Sequence, residues 1–428
     1  MIAMRILLVV PPYPNRVCEY LILPSLELCV ISSILKKEGH VVKLLDMKID
    51  NMSIEEGISR CKAFAPEFIL IDDEPKIHCN TIEFIDRYRL SDDRNVPICL
   101  RGEIPSFIPQ TVLDRHPNIN YIIRFDDDFA FQKIINTHPN FSVIDAIPNI
   151  AYRKDNKIVV TDRLECYYDL NSLPRPDRHL YDIAKYLKRD SETIVKSSRG
   201  CLGHCLFCIK TRFEKFRLFS ISRFCDEIEE LLSYGFTSFF FSDDTFAFSD
   251  KRLNEFYDEV KRRDLHFKWT SNIRIKDINE YKISKMKEIG AYRVFVGIET
   301  INGNTQKTIN KNLDVNTIRQ KVAILKKYGM EFHASFILGN PGDTEDDINA
   351  TIGFVREIRP TLVTFNLLKV YPGLDLFDYP EKYGIILPDK YWFEKPDWST
   401  KVVAGTRLLP PEKLESLSRR CLFEFINC

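Results

Sequence analysis

The thiols crowded into one short stretch of this chain are the residues best suited to do chemistry. Cys201, Cys205 and Cys208 stand in SRGCLGHCLFC, spaced C-x3-C-x2-C. Thiolates are soft ligands suited to zinc, copper(I) or iron–sulfur clusters. A structural zinc site takes four ligands, usually from paired knuckles, and no C-x2-C partner occurs elsewhere. His204 lies inside the loop, which would have to fold sharply for it to join. The spacing leaves three readings open. The cysteines are buried apolar side chains, or they hold a zinc completed by distant Cys166 or Cys225, or they hold a cubane cluster with one iron open to a substrate.

The remaining cysteines of the twelve are scattered, and a chain of 428 residues can bury its own core without a disulfide framework. Lys plus Arg and Asp plus Glu both count 61, so the formal net charge is zero. That balance excludes a strongly basic nucleic-acid binder. With 44% apolar and 29% charged residues the composition is that of a globular chain. No apolar stretch reaches the roughly 18 residues of a membrane span. The opening MIAMRILLVVPPYP reads as a buried strand rather than a signal peptide. A cytoplasmic setting is the expectation.

Two αβ series must position the thiols. In the first, Arg5 to Val10, Val41 to Leu45, Phe68 to Ile71, Val96 to Leu100 and Ile119 to Ile123 read as strands, with a helix from Leu26 to Lys37 stopped by Gly39. Alternating strands and helices predict a Rossmann-like parallel sheet, whose ligands bind at the carboxyl ends of the strands. The loops of interest are Pro11 to Cys18, Asp72 to Cys79 and Arg101 to Phe107. Residues 141–190, with Pro174 and Pro176, read as a surface linker after a domain over 1–140. A second series over 191–385 holds six strand–helix units, beginning at Thr193 to Lys196 and ending at Thr361 to Leu367. Six units predict a partial (β/α)6 barrel with its catalytic loops at one mouth. Residues 386–428 form an aromatic-rich C-terminal segment ending in a helix.

The chain resembles radical S-adenosylmethionine (SAM) enzymes at the cysteines, with Phe207 as the aromatic residue of C-x3-C-x-aromatic-C. Further motifs follow in the family's order: FFFSDDTF, KWTSNIRI, VGIET, FILGNPGDTEDD and VYPGLDLF. The resemblance implies a 4Fe-4S cluster on Cys201, Cys205 and Cys208. It also implies SAM chelating the open iron, from which one electron releases a 5′-deoxyadenosyl radical. Asp243 or Asp244 would hold the SAM amino group and Glu299 the ribose region. Gly297 belongs to the G-x-E motif, Gly339 and Gly342 would let backbone approach the adenine, and Arg274 would meet the carboxylate. An external electron donor such as flavodoxin or ferredoxin is implied. Taken only as residues, Asp243-Asp244 is equally a strand-end cap, Gly339 to Gly342 a turn and Arg274 a surface charge.

A Rossmann-like domain ahead of such a core resembles the cobalamin-binding subgroup, many of whose members are methyltransferases. That implies cobalamin and a natural-product, cofactor-type or peptide substrate. The departures are specific. Arg101-Gly102 replaces two glycines, Arg124-Phe125-Asp126-Asp127-Asp128 lacks a glycine, and no D-x-H-x-x-G motif offers cobalt a histidine. The competing functions are a cobalamin-free radical SAM enzyme performing cyclisation, epimerisation or rearrangement, and a zinc-stapled binding protein. A methylthiotransferase would need a second cluster, for which Cys18, Cys61 and Cys99 are the available thiols.

Overall fold

The computed structural model describes residues 3–14, 22–155, 157–165, 168–189, 192–396, 398 and 400–426. Cys18, Cys166 and the end of the Pro11 to Cys18 loop lie outside them. The chain divides into two compact units, Met1–Arg189 with Tyr391–Ser399, and Asp190–Lys390 with Thr400–Cys428. Among the described residues no helix is long and apolar enough to cross a membrane.

The first unit is built on a sheet of β1 (Arg5–Val10), β2 (Val41–Asp46), β3 (Phe68–Asp72), β4 (Ile98–Arg101), β5 (Tyr121–Ile123), β6 (Ile150–Lys154) and β7 (Lys157–Val160). Their order is β2-β1-β3-β4-β5-β6-β7. The first five strands run parallel. Ile6 to Val10 and all of β3 are buried, as expected of parallel strands covered on both faces. The order reverses between β1 and β3, which makes the carboxyl ends of these strands the crevice of the sheet.

Two features differ from the sequence reading. The stretch read as a linker supplies β6 and β7, an antiparallel hairpin that extends the sheet edge. The apolar run of β7, Ile158 to Val160, is only three residues long, and the strand is partly exposed at the sheet edge. The remainder is fastened to the unit: Ser32 donates to Asp177 at 2.7 Å and Tyr186 donates to buried Asp46 at 2.5 Å. The expected C-terminal segment is also not one piece. Residues 391–399 belong to this first unit, where Phe393 packs on His78 and Arg115 donates to Glu394 at 2.8 Å.

At the strand exits, the residues of the glycine-poor segments are held by specific contacts. Arg101 is turned onto Asp72 at 2.9 Å, and Ser25, which caps the helix Leu26–Lys37, donates to the same carboxylate at 2.7 Å. Gly102 has φ +152°, and a Cβ there would lie 2.0 Å from the Asp73 carbonyl oxygen. Phe125 keeps a left-handed backbone, φ 62°, without being glycine. Its ring lies beneath the Arg163 guanidinium at 3.9 Å, and its N–H donates to Ser106 at 2.9 Å.

In the second unit, β8 (Glu192–Val195), β11 (Ser238–Phe241), β12 (Lys268–Asn272), β13 (Ala291–Glu299), β14 (Glu331–Leu338) and β15 (Leu362–Leu367) form a parallel sheet in sequence order. This is the expected six-strand arrangement. Between β8 and β11, the two-residue strands β9 (Ser198–Arg199) and β10 (Arg217–Leu218) pair antiparallel and close the cysteine loop. Along β14, burial alternates residue by residue. Phe332, Ala334, Phe336 and Leu338 are buried, while His333 and Ser335 line a cavity.

Gly102→Ala should destabilise the first unit by about 1–3 kcal/mol, because it adds both a steric overlap and a disfavoured backbone conformation. Chemical denaturation followed by hydrogen exchange of β3 and β4 reads this, with protection in β11 to β14 unchanged.

Candidate functional site

A cavity of about 470 Å³ is lined by the carboxyl-terminal residues of β12 and β13, mid-strand residues of β14 and β15, and the cysteine loop. Cys201, Cys205 and Cys208 all line it, with Phe207. The loop is held from both sides. At its start, Asp243 accepts from Ser197 N at 3.1 Å, from Ser197 Oγ at 2.8 Å and from Ser198 Oγ. Arg252 donates to the carbonyls of Ser197 at 3.2 Å and Phe219 at 2.6 Å. Gly200 has φ +76°, and a Cβ there would lie 2.7 Å from the Lys215 carbonyl oxygen, so only glycine admits this crossing. At its far side, Leu206 N donates to the Ile309 carbonyl at 3.1 Å.

The three thiols form no disulfide and are half-buried. A Cβ on Gly203 would lie 3.4 Å from the Cys201 sulfur and 3.9 Å from that of Cys205, so these two close around it. Burial pushes the Cys208 thiol up to about 11, and burial also raises Cys205 against the pull of Lys311. Metal binding would replace the protons they then carry. Among the described residues no three thiol, imidazole or carboxyl groups converge as ligands of a single ion. A cluster takes each thiolate on a different iron and so accepts a wider spread, and the soft donor set fits it. Cys225 is fully buried in the helix Ile221–Ser233 and does not line the cavity. Cys61 and Cys99, wanted for a second cluster, are fully buried in the first unit.

The two adjacent aspartates part company. Asp244 lines the cavity, whereas Asp243 is fully buried beneath the loop and does not. Burial raises the carboxyl pKa of both. Ser198 and Ser197 oppose it at Asp243, while Glu214 adds to it at Asp244. Gly297 and Glu299 line the cavity together. The pairing of β13 with β14 slips between them, and Glu299 takes a left-handed φ of 68°. Its carboxylate folds back so that a Cβ on Gly297 would lie 2.2 Å from Oε1. Arg274 lines the cavity and donates to Asp277 at 2.5 Å.

Gly339 and Gly342 do not line this cavity. They turn the chain between β14 and the helix Glu345–Ile358, with φ +85° and +96°. A Cβ at Gly339 would meet the Leu414 side chain at 2.6 Å, so its smallness serves packing there. The sequence reading passed over Lys311, His333, Asn272, Lys210 and Lys276, which line the cavity. Lys311 pairs with Glu299 at 2.9 Å. Burial lowers its pKa, but the Glu299 carboxylate beside it outweighs that and raises it. The available signal was the asparagine on either side, since Asn tolerates left-handed turns.

Residues 195–355 match the family model for the radical SAM superfamily. The second unit therefore contains a radical SAM domain. An uncharacterized methyltransferase of Pyrococcus horikoshii is 26% identical over 90% of this chain and 84% of its own length. The cytidylyl-2-hydroxyethylphosphonate methyltransferase of Streptomyces wedmorensis is 22% identical over 87% of this chain and 80% of its own. Among solved structures, the radical SAM methyltransferase TsrM of Kitasatospora setae, with cobalamin and a [4Fe-4S] cluster bound, has a TM-score of 0.75 at 16% identity. It covers 90% of this chain and 77% of that one. The cobalamin-dependent radical SAM enzyme OxsB, with aqua-cobalamin and SAM bound, has a TM-score of 0.77 at 17% identity, covering 99% and 67%. The fold of this chain is the fold of those enzymes.

The two aspartates separate experimentally. Asp243→Ala should lower stability by about 1–3 kcal/mol, because it leaves buried donors unpaired. Asp244→Asn should leave the unfolding midpoint near wild type and weaken SAM binding, read by calorimetry on the reconstituted protein.

Proposed function

We propose that this protein is a radical SAM enzyme that transfers a methyl group with the help of cobalamin. The observation that carries the first half is the convergence of Cys201, Cys205 and Cys208 with Asp244 and Glu299 on one cavity inside the matched domain. When bound, the cluster supplies the electron that breaks a carbon–sulfur bond of SAM, and cobalamin carries the methyl group. The chain's own residues bind and orient. Asp244 and Glu299 offer charge-assisted acceptors to the SAM ammonium and ribose hydroxyls. Phe207 and Phe295 give the cavity flat apolar walls. Arg274 supplies a guanidinium to the SAM carboxylate.

Support for cobalamin comes from the fold shared with enzymes that hold it and from the strand exits of the first unit. Gly102 and Phe125 both have positive φ, so the chain turns sharply at two of the strand exits where such a ligand would lie. The loops Asp72 to Cys79 and Arg101 to Phe107 would hold it. The substrate is a small molecule or peptide, and an external flavodoxin- or ferredoxin-like protein would deliver the electron in the cytoplasm.

Replacing Cys201, Cys205 and Cys208 together with alanine should abolish bound iron, acid-labile sulfide and 5′-deoxyadenosine formation while circular dichroism stays native. Iron retention with continued SAM cleavage would refute the assignment. Reconstitution with methylcobalamin should give stoichiometric retention through gel filtration. No retention, with SAM giving 5′-deoxyadenosine but no S-adenosylhomocysteine in the presence of substrate, would favour the cobalamin-free alternative.

A further inference from the structure

Lys311 is set into the cavity by a loop whose backbone is organised around it. Asn310 and Asn312, on either side, both adopt left-handed conformations, with φ of 58° and 53°. The N–H groups of Lys311 and Asn312 both donate to the Gln306 carbonyl, at 3.0 and 3.1 Å. The Gln306 side chain, itself buried, donates to the carbonyls of Ile298, at 2.8 Å, and Thr300, bracketing Glu299. The adjoining Ile309 carbonyl accepts from Leu206 in the cysteine loop at 3.1 Å. One short loop is thus bonded both to the strand end that carries Glu299 and to the loop that carries Cys205 and Cys208.

The ammonium that this loop delivers lies 2.9 Å from Glu299 Oε1 and 5.9 Å from the centre of the Phe207 ring. Its side chain is 18% exposed and that of Glu299 8%. A Cβ on residue 297 would lie 2.8 Å from the Lys311 nitrogen, so Gly297 leaves room for the pair. Two buried charges of opposite sign hold each other's geometry, and removing one strands the other. A fixed cation beside an iron–sulfur cluster also favours its more negative, reduced form.

We propose that Lys311 is a positioning residue carrying a fixed positive charge between Glu299 and the cysteine loop, where it holds Glu299 ready for SAM and raises the reduction potential of the cluster. This rests on the radical SAM reading. It concerns the one-electron step only: the cluster gains an electron from an external low-potential donor, and the charge at Lys311 makes that gain easier.

The test compares the anaerobically reconstituted full-length protein with its Lys311→Arg, Lys311→Gln and Glu299→Gln variants, by potentiometric titration with electron paramagnetic resonance and by SAM titration calorimetry. Lys311→Gln should lower the reduced-to-oxidised ratio at a fixed potential by about tenfold, a negative shift of about 59 mV for one electron. It should also weaken SAM binding by about tenfold, by leaving Glu299 buried without its partner. Lys311→Arg should stay near wild type in potential. Glu299→Gln, which removes a negative charge from the same pair, should shift the potential the opposite way. The proposal is overturned if Lys311→Gln keeps the wild-type potential. It is also overturned if the arginine variant shifts as far as the glutamine one, which makes shape rather than charge decisive. If Lys311→Gln does not hold the cluster, the sign of the Glu299→Gln shift decides alone, and an unchanged or negative shift overturns the proposal. A wild-type protein that neither assembles a cluster nor cleaves SAM overturns the radical SAM reading itself, which separates the two failures.

Discussion

One buried carboxylate, Asp243, fixes the geometry on which the thiol site depends. It sits just past β11 and receives the backbone and side chain of Ser197 and the side chain of Ser198, four and three residues before the first cysteine. A carboxylate taken fully out of water is tolerated only where such donors replace hydration. The donors here all come from the segment that leads into the cysteine loop. The exit of β8 is thereby locked to the exit of β11, and Asn272 at the end of β12 donates to the Asp243 carbonyl at 3.0 Å, adding a third strand. With that base fixed, the β9–β10 pairing and Gly200 let the loop rise over the sheet mouth with its sulfurs facing the cavity.

Among the residues other than glycine that hold a left-handed backbone, several stand at the candidate sites. Glu299, Asn310 and Asn312 are grouped at the cavity, and Phe125 at a strand exit of the first unit. Such conformations persist only where surrounding contacts over-determine them. Glu299 has its bulge, its pair with Lys311 and the empty space at Gly297. Phe125 has a cation over its ring and a hydroxyl accepting from its N–H. At the β5 exit a bulky residue is thus held in a backbone conformation that glycine adopts more easily.

Much of the fold is legible in the chain because parallel strands buried on both faces are continuous apolar runs, and the helices between them carry their own stops at Gly39, Gly235, Gly290 and Gly329. Where an element departs from that rule, the sequence is mute. The β6–β7 hairpin is short and ends the sheet at a partly exposed edge strand, and the return of residues 391–399 to the first unit is a long-range packing event that no local period announces.

The site divides along the same line. The sequence by itself singled out Cys201, Cys205 and Cys208 by their spacing and, through the resemblance, Gly297 and Glu299, and the structure places all five on one cavity. Only the tertiary structure decided which of Asp243 and Asp244 faces the cavity, since adjacent side chains leaving a strand point to opposite sides and the loop above chooses between them. Only the tertiary structure removed Gly339 and Gly342 from the lining, where Leu414, far along the chain, fills the space beside Gly339. Lys311, too, reaches Glu299 through a loop turned inward by two left-handed asparagines, a conformation that sequence permits and that contacts to Gln306 and the cysteine loop enforce.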